Sequence, residues 1–140
     1  VGTCGAIAPE LALGEMVIAR ESICEDGTSR ALGAGERAGA DAELTEALVE
    51  QAPSARVGTV VSVDLFYETG TRREHHDALA VEMEAATLFA VGLATGVPVA
   101  CMLIVSDTFD ADGVRERIEE PSLLACAERM GAAAIAAVTA

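Results

Sequence analysis

The feature that most restricts this chain is the run Pro98-Val-Ala-Cys-Met-Leu-Ile-Val105, followed at once by Ser106 and Asp107. A strand with one wet face alternates apolar and polar residues, whereas an unbroken apolar run predicts a strand buried on both faces. Such a strand needs packed layers on either side. Branched residues between turn signals predict further strands over 15–24, 56–63 and 78–81. Helical spacing predicts a helix over 41–52, with an Asp41 cap, Leu44, Leu48 and Ala52 on one face, and Pro53 as its stop. A second helix runs from Glu82-Met83-Glu84 to Gly96. A third covers 121–138, with Pro121 near its start and Leu123, Ala127, Met130 and Ala134 on one face. Residues 25–40, 65–77 and 108–119 read as loops. Strands alternating with helices predict an α/β fold of three layers, α/β/α, around a central and mostly mixed β-sheet.

Composition narrows the function. At 51% apolar residues, the 140-residue chain is too hydrophobic to be disordered. Its 9 basic residues are all Arg and face 23 acidic ones, a net charge of −14. That field repels phosphate polymers and anionic lipid, so nucleic acid and membrane are disfavoured as partners. No uninterrupted apolar stretch reaches the roughly 18 residues of a membrane span, and no signal-peptide pattern opens the chain. Cys4, Cys24, Cys101 and Cys126 are widely spaced, with no Cys-x-x-Cys pair. They read as reduced thiols of a cytoplasmic protein rather than as a zinc set. His75 and His76, beside Glu74 and Asp77, fit a solvated loop better than a metal site, and no metal or cofactor is expected.

Three segments combine small or polar residues with the ends of strands, where ligands bind in α/β sheets. Gly2-Thr3-Cys4-Gly5-Ala6 lets backbone approach a ligand, and Thr3 offers a hydroxyl and an N–H to an anion; a plain glycine turn is the simpler reading. Glu82-Met83-Glu84 sets two carboxylates at a strand-to-helix junction. They suit a sugar diol as acceptors, or else pair with the helix dipole. Ser106-Asp107 puts a partly desolvated carboxyl at a cleft mouth, a candidate general acid whose simpler reading is a turn or cap. Phe66 could stack on a planar base or anchor its loop.

Taken in order, these segments resemble the purine nucleoside phosphorylase and uridine phosphorylase family. The carrying residues are Val1-Gly-Thr-Cys-Gly-Ala-Ile7, Leu13-Gly-Glu-Met-Val-Ile18, Asp26-Gly-Thr-Ser29, Ser62-Val-Asp-Leu-Phe-Tyr67, Val81-Glu-Met-Glu-Ala-Ala-Thr-Leu88 and Ile104-Val-Ser-Asp107. The resemblance implies a phosphorylase/hydrolase-like fold and phosphorolysis of a nucleoside to free base and ribose 1-phosphate, with inorganic phosphate as co-substrate. By position it implies that Thr3 touches phosphate, Gly5 flanks the base and Phe66 packs on it. Glu82 and Met83 would line the nucleoside pocket, Glu84 would bind the ribose hydroxyls, and Ser106 would accompany Asp107 as general acid at N7 of a purine. It also implies a homo-oligomer, a hexamer built as a trimer of dimers.

Ser106-Asp107 favours a purine, because the uridine branch resembles Asn-Arg there. Gly70 stands where that branch expects Gln, although Arg72 matches its Arg. In the purine branch an Arg assists the acid, and Arg115 and Arg117 are both candidates. The family is longer, and the resemblance makes residues 1–140 the C-terminal part of one larger domain. On that expectation the phosphate-binding Gly and Arg precede Val1, and the 140 residues alone have little or no activity. A nucleosidase using water, a uridine phosphorylase, and an inactive fragment or binding module that keeps the fold are the alternatives.

Overall fold

The computed structural model describes residues 1–65 and 77–139. The apolar run becomes strand β6 (Cys101–Phe109) from its fourth residue on, with Pro98–Ala100 leading into it, and the strand's side chains alternate between two cores. Cys101, Leu103 and Val105 enter one hydrophobic cluster, and Met102 and Ile104 enter the other. The period of two along a strand sends successive side chains to opposite faces, so both must be covered. In chain order, numbered with β6, the other elements are β1 (Gly2–Ala6), β2 (Met16–Cys24), α1 (Gly27–Ala31), β3 (Arg37–Gly39), α2 (Ala42–Gln51), β4 (Arg56–Ser62), β5 (Ala78–Glu82), α3 (Ala85–Thr95), β7 (Arg115–Arg117) and α4 (Glu120–Thr139).

Among the described residues the strands form one sheet in the order β3-β2-β4-β5-β1-β6-β7. β2 pairs with β4, β4 with β5 and β1 with β6 in parallel. The β1–β5, β2–β3 and β6–β7 pairs are antiparallel. The first half of β2 also pairs antiparallel with β6, from Met16 opposite Ile104 to Ala19 opposite Cys101. Strands β2, β4, β5, β1 and β6 therefore close on themselves, which leaves no open edge between them. Helices α2 and α4 cover one face, where Leu48, Ala52, Cys126, Met130 and Ala137 are buried with Ile18, Met102 and Ile104. Helix α3 covers the other, where Ala85, Ala86 and Phe89 are buried with Val17, Val60 and Val105. The expected three layers and mixed sheet are present.

Local chemistry starts and stops the helices as anticipated. The Asp41 side chain accepts the Leu44 N–H at 2.8 Å at the start of α2. Gly96 ends α3 in the left-handed region, at φ 69°. In α4, Leu123, Ala127 and Ala134 pack beside buried Met130 as expected. This helix is long and apolar enough to cross a membrane by length and composition. In this fold it lies against α2 and β6.

Three expectations need correction. Residues 25–40 are not all loop: Asp26 caps the short α1, and β3 pairs with the second half of β2, Ile23 opposite Arg37. Nothing local marks so short a strand; its partner across the sheet creates it. Residues 108–119 are not all loop either, because β6 continues through Ser106-Asp107 to Phe109 and pairs with β7. Gly2–Ala6 is not a turn beyond a strand but a strand itself, flanked by β5 and β6. Its small residues suit that place: a Cβ on Gly5 would lie 3.3 Å from Val81 Cγ1.

Candidate active site

Continuation of β6 past Val105 carries Asp107 inside, where it is 3% exposed. One carboxylate oxygen, Oδ1, accepts from the Arg115 guanidinium twice, from Nε at 2.5 Å and from Nη2. The other, Oδ2, accepts from the Ser106 hydroxyl at 2.6 Å. Pairing of β6 with β7 brings the arginine in, since Phe109 lies opposite Arg115 and Asp107 opposite Arg117. Of the two candidate arginines, Arg115 is thus the one that contacts the carboxylate. A guanidinium fork on one side and a hydroxyl on the other fix its orientation.

At the β5–α3 junction the two glutamates of Glu82-Met83-Glu84 separate. Glu82 is buried, and its Oε1 accepts from the Ser62 hydroxyl. Its Oε2 accepts the backbone N–H of Glu84 at 2.8 Å and of Ala85 at 2.6 Å, the first turn of α3. Burial pushes the Glu82 carboxyl above the usual glutamate range, against the lowering effect of these bonds. Glu84 holds the N-cap position, yet its side chain makes no capping bond, and both Met83 and Glu84 are exposed. The helix-dipole reading therefore accounts for Glu82 and leaves Glu84 available to a ligand.

Strand β1 joins these two regions. Its residue Gly5 lies opposite Asp107 on one side and Val81 on the other. The antiparallel run past β5 then takes Cys4 and Thr3 toward Glu82 and the junction beyond it. Cys4 lies between the carboxylates: burial first, then Cys101, Glu82 and Asp107, push its thiol up to about 12. The Ser106 hydroxyl also reaches the Cys4 carbonyl at 3.3 Å. Thr3 is exposed in β1. Gly5, Glu82, Ser106 and Asp107 are thus gathered in the wall, with Thr3, Met83 and Glu84 outside it.

Phe66, with Tyr67, Gly70, Arg72, Arg73, His75 and His76, lies outside the described residues. All four cysteines are buried free thiols. Among the described residues no group of His, Cys, Asp and Glu is placed to hold a metal. A cleft of about 720 Å³ at the other end of α3, lined by Asp41, Leu44, Leu93 and Val97 among others, contains none of the site residues. Sequence reading missed Ser22 and Ser62, both 0% exposed, whose hydroxyls meet at 2.8 Å behind Glu82. The available signal was a serine beside branched apolar residues in each strand, Ser22 before Ile23 and Ser62 after Val60-Val61. It also missed the trio of buried Asp26 and Ser29 with half-buried Thr87, in which Asp26 accepts from both hydroxyls and ties α1 to α3.

The phosphorylase superfamily model matches residues 1–140. The chain is 37% identical to a DeoD-type purine nucleoside phosphorylase of Dichelobacter nodosus over 119 residues, covering 76% of this chain and 49% of that protein. The same description belongs to a Shewanella amazonensis protein that is 37% identical over 117 residues, covering 76% and 50%. The chain thus spans about half the length of the curated relatives it matches. A solved structure of the P knowlesi homolog of P falciparum PNP superposes with a TM-score of 0.79 at 25% identity, over 99% of this chain and 61% of that one. Full-length coverage by the family model and agreement in fold give one conclusion: the chain belongs to the phosphorylase superfamily.

Proposed function

We propose that these residues form the nucleoside-facing part of a purine nucleoside phosphorylase, which converts a nucleoside and phosphate to free base and ribose 1-phosphate. One observation carries the reading: β1 joins a buried, doubly held Asp107 to the exposed Met83–Glu84 junction. Glycosidic cleavage through an oxocarbenium-like transition state needs the leaving base stabilised and the sugar held. Asp107, oriented by Arg115 and Ser106, hydrogen-bonds or protonates N7 of the base. Glu84 accepts from the ribose hydroxyls, Met83 packs on the sugar, Gly5 leaves room for the base, and Thr3 meets phosphate. A protonatable site at N7 is a purine property, and the matched relatives are named as purine enzymes. The proposal includes a cytoplasmic setting, in keeping with the buried free thiols, and assembly with further copies of the chain.

Calorimetry of the chain with inosine and with ribose 1-phosphate tests it. Both bind the unaltered chain, Asp107→Asn weakens inosine, and Glu84→Ala weakens both. Absence of binding by either ligand at millimolar concentration sinks the reading. Base release from inosine without phosphate would replace it with a nucleosidase, and preferential binding of uridine with the uridine branch. With phosphate present, little turnover is expected from the 140 residues by themselves.

A further inference from the structure

We propose that Ser22, Ser62 and Glu82 form a buried positioning relay that sets the Met83–Glu84 turn; the ligand affected rests on the phosphorylase reading above. Ser62 closes β4, Ser22 lies within β2, and Glu82 ends β5. A hydroxyl has one proton to give and two lone pairs to receive. The Ser62 proton goes to Glu82 Oε1, and its lone pairs receive the Ala86 N–H at 2.8 Å and the Ser22 hydroxyl at 2.8 Å. With the Ser62 proton on Glu82, Ser22 is the donor of the pair, giving its proton to the Ser62 oxygen at 2.8 Å rather than to the Ile23 carbonyl 3.3 Å away. Glu82 Oε2 in turn receives the N–H groups of Glu84 and Ala85. The backbone of Glu84 therefore hangs on a chain of hydrogen bonds that begins two strands away.

Helix capping alone does not need so much. One side chain at the N-cap satisfies a helix start, as Asp41 does for α2. Here the N-cap residue, Glu84, keeps its carboxylate out of that task, and the burden passes to a glutamate two residues earlier. Burying that carboxylate is costly unless hydrogen bonds surround it; Ser62 of β4 supplies one, and Ser22 of β2 in turn holds Ser62. The result frees Glu84 while holding its Cα in a fixed place. Ser22, Ser62 and Glu82 are positioning residues and do not touch the sugar.

The experiment compares the unaltered chain with Ser62→Ala and Ser22→Ala. It reads affinity for ribose 1-phosphate by calorimetry and amide hydrogen exchange at Glu84, Ala85 and Ala86 by NMR. Loss of the Ser62 hydroxyl weakens ribose 1-phosphate about tenfold and speeds exchange at these amides by a similar factor, and Ser22→Ala does the same about threefold. Protection elsewhere in the sheet stays as it was. Unchanged exchange at Glu84 and Ala85 in a folded Ser62→Ala chain overturns the relay, and so does unchanged sugar affinity. Should Ser62→Ala not fold, Ser22→Ala is judged by the same two readouts. If the unaltered chain binds no ribose 1-phosphate, the functional reading fails and the exchange measurement alone decides the relay.

Discussion

Asp107 in β6 and Glu82 at the end of β5 are the two buried carboxylates of the candidate site, and each accepts from a serine hydroxyl. Their remaining partners differ. Asp107 receives the Arg115 guanidinium, whereas Glu82 receives two backbone N–H groups and, among the described residues, no guanidinium. The difference follows from position. Asp107 lies in a hairpin whose return strand delivers an arginine, while Glu82 meets the start of a helix, where backbone N–H groups lack partners of their own. A cation compensates a buried charge in one step; N–H dipoles do so only in number. Burial accordingly pushes Glu82 upward in pKa.

The most damaging way to break this contrast is to remove the cation. Arg115→Met leaves Asp107 buried without its partner and should cost about 3 kcal/mol, the low end for a broken buried pair because the arginine is partly exposed. Urea denaturation at neutral pH measures it, and a loss below ~1 kcal/mol would mean that water already screens the pair. Next comes Ser62→Ala, which takes one donor from Glu82 and the acceptor from Ala86; about 2 kcal/mol is expected by the same measurement.

A third test uses pH. Burial alone would raise Asp26, but the bonds from Ser29 and Thr87 outweigh it and hold the carboxyl below the usual aspartate range. A lowered folded value stabilises above the ordinary range and is lost as pH falls through the lowered value. The cost of Asp26→Asn, about 1 kcal/mol at neutral pH, should therefore shrink on acidification. Glu82 has the opposite sign. Its raised value favours the fold below the ordinary glutamate range, and that contribution is lost as pH rises through the raised value. Glu82→Gln should thus gain on the unaltered chain as pH rises, and parallel pH slopes in the two variants would contradict the assignment. The smallest effect on stability belongs to Glu84→Ala, within about 0.5 kcal/mol, because the side chain is exposed and caps nothing. The same variant should show the largest loss of ribose 1-phosphate affinity.

Several elements were legible without coordinates because their causes are local. The Asp41 cap and the stop at Pro53 delimit α2, and an all-apolar run has few homes other than a doubly covered strand. The short β3 and β7 were not legible, since three residues carry no periodicity and exist through pairing with β2 and β6. The candidate site divides in the same way. Residue type and junction position marked Glu82, Glu84 and Asp107 together, but could not say which glutamate faces inward or which arginine meets Asp107. Ser22 carried no signal of its own, and Ser62 stood out only as the start of a family motif, with nothing to show that it meets Glu82.

By itself the sequence determined the layered α/β class, the helix boundaries with caps of their own, the acidic surface charge and the motif set of the phosphorylase superfamily. Each depends on composition, on a period of two or 3.6, or on neighbours a few residues apart. Tertiary structure alone decided the closure of β2 onto β6, the choice of Arg115 and the inward turn of Glu82. Those outcomes depend on which residues meet across strands, such as Ser62 with Glu82 and Cys4 with Ile104, the latter pair 100 positions apart along the chain.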